Sequence, residues 1–440
     1  MSAASALPLK ARGNAETHRA SDLLRVIVFL GAFALVFSEP LAFGGVEPWA
    51  IFTLEAASAV LFGLWAIAQT LGGELSITWN PIFIPALLFA GLLLIQVAFR
   101  QTAYRAATVS ASLLFCSYGL LTFLLVQSLR RTGHLRAASM ALCFYGVVIA
   151  LFGIVQSLTN NAKIYWLTSP ASGGWIYGPY VNHNHYAGLM EMLFPIPLVL
   201  CLSRRLNRDQ RLLAGLASAL MASTIFLCGS RAGMLAFVVQ VVALFFLLVK
   251  RSSKKALLPV TFLVIVSALF VWLGGAQVFT RISTIPSELS GGTRLTIDRD
   301  CLRMFLAKPA LGWGLGTFRE VYPRFRSFYT NLSVDQAHND YLQLLVETGA
   351  CGFALLVWSL VIVLRASVRK LQSWPADINA DLALAALLGI LGIMVHSFFD
   401  FNLQIPANAA MFGALCAIAA MKPGIGTRHS HPHRAHNHAA

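Results

Sequence analysis

One polar interruption constrains this chain more than any other feature. From Val278 to Gly349 the apolar patterning stops, and eight Lys/Arg and seven Asp/Glu take its place. The same stretch holds a Gly-rich turn, Gly312-Trp313-Gly314-Leu315-Gly316, and the run Gln336-Ala337-His338-Asn339-Asp340-Tyr341. Long apolar runs flank it on both sides. A chain that only crosses a bilayer has no need of such a segment, whereas one that does chemistry at the membrane surface does.

Elsewhere the sequence reads as an all-α integral membrane protein. Hydrophobic residues make up 57% and charged residues 12%. A helix needs roughly 20 apolar residues, with a lower limit of about 17, to cross a hydrocarbon core of about 30 Å. Twelve runs qualify: 22–38, 49–69, 81–98, 107–127, 137–157, 185–202, 212–228, 232–249, 256–275, 351–367, 381–397 and 405–421. They are Leu/Ala-rich and lack period-two alternation, which argues against strands. With a cytoplasmic N-terminus, the inner segments carry 21 Lys/Arg and the short outer loops carry four, Arg100, Arg105, Lys163 and Arg231. That asymmetry obeys the positive-inside rule and puts the interruption outside. The expected organisation is a tail over 1–21, nine spans over 22–275, an outer helical domain over 276–350, three spans over 351–421 and a His-rich tail over 422–440.

The net charge of +15 is therefore a topology signal. It is dispersed over inner loops and not gathered on one soluble face, so no nucleic-acid partner is expected. Residues 1–20 read as a disordered cytoplasmic tail with no cleavable signal. The histidines at 429, 431, 433, 436 and 438 read as a flexible tail, because no scaffold fixes a metal geometry. The seven cysteines show no CxxC pair. Inside the interruption, Thr293–Ala307 has helical spacing, with Leu295, Leu302, Phe305 and Leu306 apolar. Pro309 ends it. A second helix is expected from about Val334 or Ala337 to Glu347, stopped by Gly349. Two amphipathic helices on the membrane surface would roof a cavity between the spans.

Four constellations can carry chemistry. His338 is the side chain best suited to take a proton near neutral pH. Asp335, three residues earlier, could share its helix face, and Asn339 and Asp340 could anchor the loop. Arg231, in the tight Ser230-Arg231-Ala232-Gly233 turn, offers a guanidinium to phosphate oxygens; the bland alternative is a snorkelling arginine. Arg294 follows Ser290-Gly291-Gly292-Thr293, glycines at a helix start that suit an anion. Asn184, Gly188 and Glu191 fall on one face at the entry to span six, beside His185. A carboxylate inside a span suggests a lined cavity. His183, His185 and His338 lack a carboxylate or thiolate spaced to complete a metal site. Asp298-Arg299-Asp300 reads as surface charge, since residues two apart on a helix point to different sides.

These motifs resemble the O-antigen ligase/polymerase superfamily. The resemblance rests on Gly292-Thr293-Arg294, on Lys308-Pro309-Ala310-Leu311-Gly312-Trp313-Gly314-Leu315-Gly316-Thr317-Phe318, on Ala337-His338-Asn339-Asp340-Tyr341-Leu342-Gln343 and on Glu347-Thr348-Gly349-Ala350-Cys351-Gly352. The Ser230-Arg231 turn and Asn182…Asn184…Ala187 resemble its upstream motifs, although His183 and His185 depart from the commoner Asn-Pro-Asn pattern. The resemblance implies a GT-C-like membrane glycosyltransferase of the bacterial inner membrane. Its donor would be O-antigen on undecaprenyl diphosphate at the periplasmic face, its acceptor the lipid A–core oligosaccharide. Arg231, Arg294 and His338 match the positions the family uses for diphosphate binding and catalysis. Asn184, His185, Glu191, Asn339 and Asp340 are further expected binding residues.

The residues support that reading independently. Diphosphate is a good leaving group, and two arginines could stabilise its growing charge without metal or cofactor. A single base with no second carboxylate nucleophile suits one inverting displacement. Three alternatives stand beside it. A polymerase extending glycan on its own carrier is not excluded by any residue. A transporter would need paired repeats and ionisable residues at mid-bilayer, where this chain is almost uncharged. A non-catalytic assembly protein is the third.

Overall fold

A computed structural model describes residues 9–159, 163–169, 175–251, 257–272, 292–331, 333–373 and 377–421. The His-rich tail, Ser290-Gly291 and the rest of 273–291 lie outside the described residues. The described residues are helical, with no β-structure beyond two isolated bridges. In chain order the helices are α1 (Leu9–Leu41), α2 (Pro48–Leu71), α3 (Phe83–Ala98), α4 (Arg105–Ser128), α5 (Thr132–Thr159), α6 (His183–Leu193), α7 (Pro195–Leu202) and α8 (Arg208–Leu227). Then come α9 (Arg231–Arg251), α10 (Leu257–Trp272), α11 (Gly292–Ala307), α12 (Phe318–Val321), α13 (Asp340–Lys370), α14 (Ile378–His396) and α15 (Pro406–Ala420).

Among the described residues nine helices are long and apolar enough to cross a membrane, α6 and α7 counting as one. Three more apolar stretches are shorter: Phe83–Ala98, Thr261–Trp272 and Pro406–Ala420. The expected apolar runs thus all become helix. Phe52, Leu87, Leu94 and Phe144 are exposed on the outside of the bundle, as a lipid solvent allows and water would penalise. The core lies around α6, α7, α14 and α15, the most enclosed of these helices.

The structure corrects three expectations. The segment read as a disordered tail is helical from Leu9, ahead of the first apolar run. The sixth run is broken at Phe194, because Pro195 and Pro197 withhold two backbone donors. The second loop helix is not separate from the tenth run. It begins at Asp340, capped by Asn339, and continues to Lys370 through a kink at Gly349 (φ 65°, ψ −171°). Gly349 therefore bends the element where an end was expected.

That elbow is clasped by the Gly-rich turn. Glu347 is buried, and its carboxylate accepts from the backbone N–H of Gly316 (2.9 Å) and Phe318 (3.2 Å). Gln96 of α3 donates to the carbonyls of Leu311 (2.7 Å) and Glu347 (2.9 Å), and accepts from Leu315 N–H at 3.1 Å. Gly312 and Gly349 both have positive φ, and a Cβ on either would strike the other strand of the clasp. The turn thus fixes the polar segment to the membrane helices. Gly349→Ala is expected to cost about 1–3 kcal/mol, the usual charge for forcing a side chain into such backbone. Gly91→Ala, on a helical site with nothing within 4 Å, should be near neutral. Parallel thermal melts in detergent check the pair, and equal melting temperatures would refute the clasp.

Candidate functional site

The polar groups gather at one end of the bundle, around a turn that no sequence motif flagged. His396-Ser397-Phe398-Phe399-Asp400-Phe401-Asn402 joins α14 to α15. Asp400 is its hub. His338 Nδ1 lies 3.2 Å from Asp400 Oδ1. Asn184 Nδ2 donates to Asp400 Oδ2 at 2.7 Å, and Phe401 N–H donates to Oδ1 at 2.9 Å. Arg294 Nη1 donates to the carbonyl of Phe399 at 2.8 Å. One short turn therefore gathers residues from α6, α11 and the approach to α13.

The geometry assigns the imidazole its roles. His338 has φ 54°, a left-handed conformation in which His, Asn and Asp are enriched among non-glycine residues. It sits before the helix, not on it. Burial alone would raise the Asp400 carboxyl, but the hydrogen bond from His338 and the nearby imidazoles of His185 and His396 hold it below the usual carboxylate range. An ionised carboxylate only accepts, so the facing Nδ1 must carry the proton and the neutral ring keeps its lone pair on Nε2. The His338 side chain is 33% exposed and that of Asp400 1%, so the imidazole is reachable while its orienting group is not. Phe401 is flanked by the His338 ring at 5.0 Å and the His185 ring at 4.8 Å, both edge-on.

The remaining expected residues take supporting positions. Asp335 does not reach His338; it pairs with Arg319 at 3.2 Å and with Ser333. Asn339 caps α13 by accepting from Tyr341 and Leu342 N–H, both at 3.2 Å. Asp340 is buried and accepts from Ser397 Oγ (2.8 Å) and Leu403 N–H (3.0 Å), which ties the turn to the start of α13. Asn184, Gly188 and Glu191 do share a face, and all three meet this turn: Asn184 at Asp400, Gly188 against Asn402, Glu191 at His396. The carboxylate of Glu191 does not line a cavity. It pairs with His396 Nδ1 at 2.8 Å, both side chains being 0% exposed.

Arg231 opens α9 and is exposed; Gly233, two residues further on, packs against Glu191. Next to it Gly229 packs on Trp175, whose ring lies 4.6 Å from that of His183. The reading of Asp298 and Asp300 as surface charge fails for Asp300, which is fully buried and accepts from Tyr322 Oη (3.2 Å) and Ser327 N–H (3.0 Å). Asp298 stands near Arg294 and Asn339, and burial raises its carboxyl. Among the described residues no group of three or more His, Cys, Asp or Glu is placed to hold a metal ion. An apolar cavity of about 230 Å³ lies beside the cluster, between α3, α4, α13, α14 and α15, with Asp340, Tyr341 and Gln404 among its lining residues.

Fold and cluster together define a multi-pass membrane protein with an oriented imidazole and an arginine at one end of its helix bundle. Residues 216–357 match the O-antigen ligase family model, a match that supports assigning the chain to that family. The activity this family implies is that of a glycosyltransferase-like ligase. No curated protein matches the chain. The matched segment includes Arg231, Arg294 and His338, while Asn184, Glu191, His396 and Asp400 fall outside it.

The buried Glu191–His396 pair yields a stability test. Removing one partner leaves an uncompensated buried charge, at a cost of about 3–5 kcal/mol, whereas replacing both with apolar residues is often neutral. Glu191→Ala should therefore be strongly destabilised, and Glu191→Leu with His396→Leu should recover most of the loss. Denaturant titrations of the purified variants measure it, and additive losses would show that the two groups are not coupled.

Proposed function

We propose that this protein transfers O-antigen polysaccharide from undecaprenyl diphosphate to the lipid A–core oligosaccharide at the periplasmic face of a bacterial inner membrane. The observation that carries the reading is His338, oriented at Nδ1 by Asp400 with Nε2 left as acceptor. The base would take the proton of the acceptor hydroxyl at Nε2. The hydroxyl oxygen would attack the anomeric carbon opposite the diphosphate, inverting it, and the carbon–oxygen bond to the diphosphate would break. Arg231 and Arg294 would take up the charge growing on the leaving group without a metal. Asn184 would hold Asp400; His185, Glu191, Asn339 and Asp340 would keep the wall of the site in place.

The topology supports the reading. If each of the twelve apolar helices crosses once, both termini are cytoplasmic, and the 42–47, 99–104, 175–182, 228–230, 312–318 and 397–405 connections share the outer face with His338. Contacts join several of them directly: Ala103 N–H donates to the Trp313 carbonyl at 2.7 Å, and Ala407 N–H to that of Gly44 at 3.1 Å. On this reading 276–350 is a periplasmic helical segment between spans nine and ten of a GT-C-like enzyme. Its partners are two glycolipids and the surrounding membrane lipids, with no nucleic acid.

The reaction is tested by mixing purified protein with lipid-linked glycan and lipid A–core in EDTA. A ladder on lipid A–core is expected; lengthened glycan still on its carrier would mark a polymerase instead. In the same assay His338→Gln keeps hydrogen bonding but cannot take the proton, so transfer should fall by about 10²–10⁴, the range for loss of a general base. An active Gln variant would remove the base assignment.

The pH profile has a defined sign. Asp400 is held below the usual carboxylate range, so it stays ionised over the working range. Its contribution to stability is present above its unfolded value of about 3.9 and is lost only as pH falls through the lower folded value. Mild acidification should therefore leave the stability contribution of Asp400 intact, which denaturant titrations at falling pH would check. Asp400→Asn removes the carboxylate that orients Nδ1, so the maximal rate should drop, and an unchanged rate would detach Asp400 from the base.

A further inference from the structure

Helix α11 is apolar on two faces, and only one of them is covered. Ile297, Cys301 and Met304 are buried against Phe318, Tyr322 and Val346. On the opposite side Leu295, Leu302 and Leu306 are 65%, 47% and 72% exposed. Their spacing of seven and then four residues places them in one row along the helix. Sequence reading grouped this row with Phe305 as the apolar stripe; Phe305 packs against the core, and the row itself does not.

The helix is fastened at both ends to the outer ends of membrane helices. Near its start, Arg294 donates to Phe399, three residues past the end of α14. Just beyond its end, the carbonyls of Pro309 and Ala310 accept from Ala350 (2.8 Å) and Cys351 (3.2 Å), immediately after the elbow where α13 turns into the bundle. Sixteen residues at a rise of 1.5 Å make the helix about 24 Å long. An element of that length tied at both ends to the rim of the bundle runs along the rim, not away from it.

We propose that α11 is an in-plane interfacial helix whose Leu295–Leu302–Leu306 row enters the outer leaflet of the phospholipid bilayer, with Arg299 and Arg303 bound to lipid phosphates. Charge complementarity selects this occupant. Arg299 and Arg303 border one side of the leucine row; the Arg303 side chain is 64% exposed and lies 3.6 Å from the buried Asp300 carboxylate. Of the helix's carboxylates, Asp300 is fully buried beneath Arg303, and Asp298 is partly buried beside Asn339. An apolar row bordered by exposed cations is the pattern of helices that lie at the headgroup boundary, where guanidinium groups reach phosphate from a partly buried stem. The reading needs no catalytic assignment. It makes α11 the lipid-facing sill of the site, since the helix that meets the leaflet also carries Arg294.

Photo-crosslinking of the full-length protein in phosphatidylethanolamine–phosphatidylglycerol nanodiscs tests it. Leu302→p-benzoylphenylalanine and Leu306→p-benzoylphenylalanine should yield phospholipid adducts by mass spectrometry. Tyr329→p-benzoylphenylalanine, at a position 86% exposed in the same polar segment, should yield several-fold fewer. Arg299→Gln with Arg303→Gln, added to the Leu302 probe, should lower the phospholipid yield, and more so when phosphatidylglycerol is present. Crosslinks from Leu302 and Leu306 back into this chain would overturn the proposal by showing that another segment covers the row. Adduct yields equal to those at Tyr329 would overturn it too, by showing that the row faces water.

Discussion

The structure turns on one carboxylate. Asp400 sits in a short connection that touches α6, α11 and the start of α13 together, and it is nearly inaccessible to solvent. A buried carboxylate is tolerable only when its lone pairs are taken. Here an imidazole, a carboxamide and a backbone N–H take them. Each of those donors comes from a segment that must hold its place for the charge to remain satisfied. The requirement to solvate Asp400 from within is thus also the requirement that assembles the cluster around His338.

Two further buried carboxylates repeat the device at greater depth or distance. Glu347 gathers the Gly-rich turn by accepting from its backbone, and Glu191 locks α6 to the end of α14 through His396. In an apolar bundle the hydrophobic effect does not choose between one lipid-like contact and another, so packing alone specifies position weakly. Polar groups that have no alternative partner specify it well. The polar interruption and the helix ends beside it are where this chain concentrates them.

Much of this was legible in the sequence. The apolar runs, the helix over 293–307, the shared face of Asn184, Gly188 and Glu191, and the importance of Gly349 all follow from period and composition. What escaped was set by long-range pairing. Asp335 looked like the partner of His338 because it is three residues away; the actual partner is 62 positions downstream, in a connection hidden between two apolar runs. A signal was present there, since an aspartate and an asparagine within six residues of a histidine are conspicuous between runs of Leu and Ala. Asp300 was misread for a related reason. A two-residue spacing on a helix says that one side chain points inward, but not which neighbours, here Tyr322 and Ser327, wait to receive it.

The shortness of α15 has a consequence for where the chemistry sits. Fifteen residues rise about 22 Å, less than the roughly 30 Å of a hydrocarbon core. Such hydrophobic mismatch is met by thinning the bilayer or by letting the flanking polar residues sink below its surface. If α15 crosses the bilayer in the proposed orientation, the Asp400 turn at its start lies nearer the bilayer midplane than a full-length helix would leave it. On the proposed function, a lipid-borne headgroup would then not need to be lifted out of its leaflet to meet His338: the protein would have lowered the waterline to the substrate.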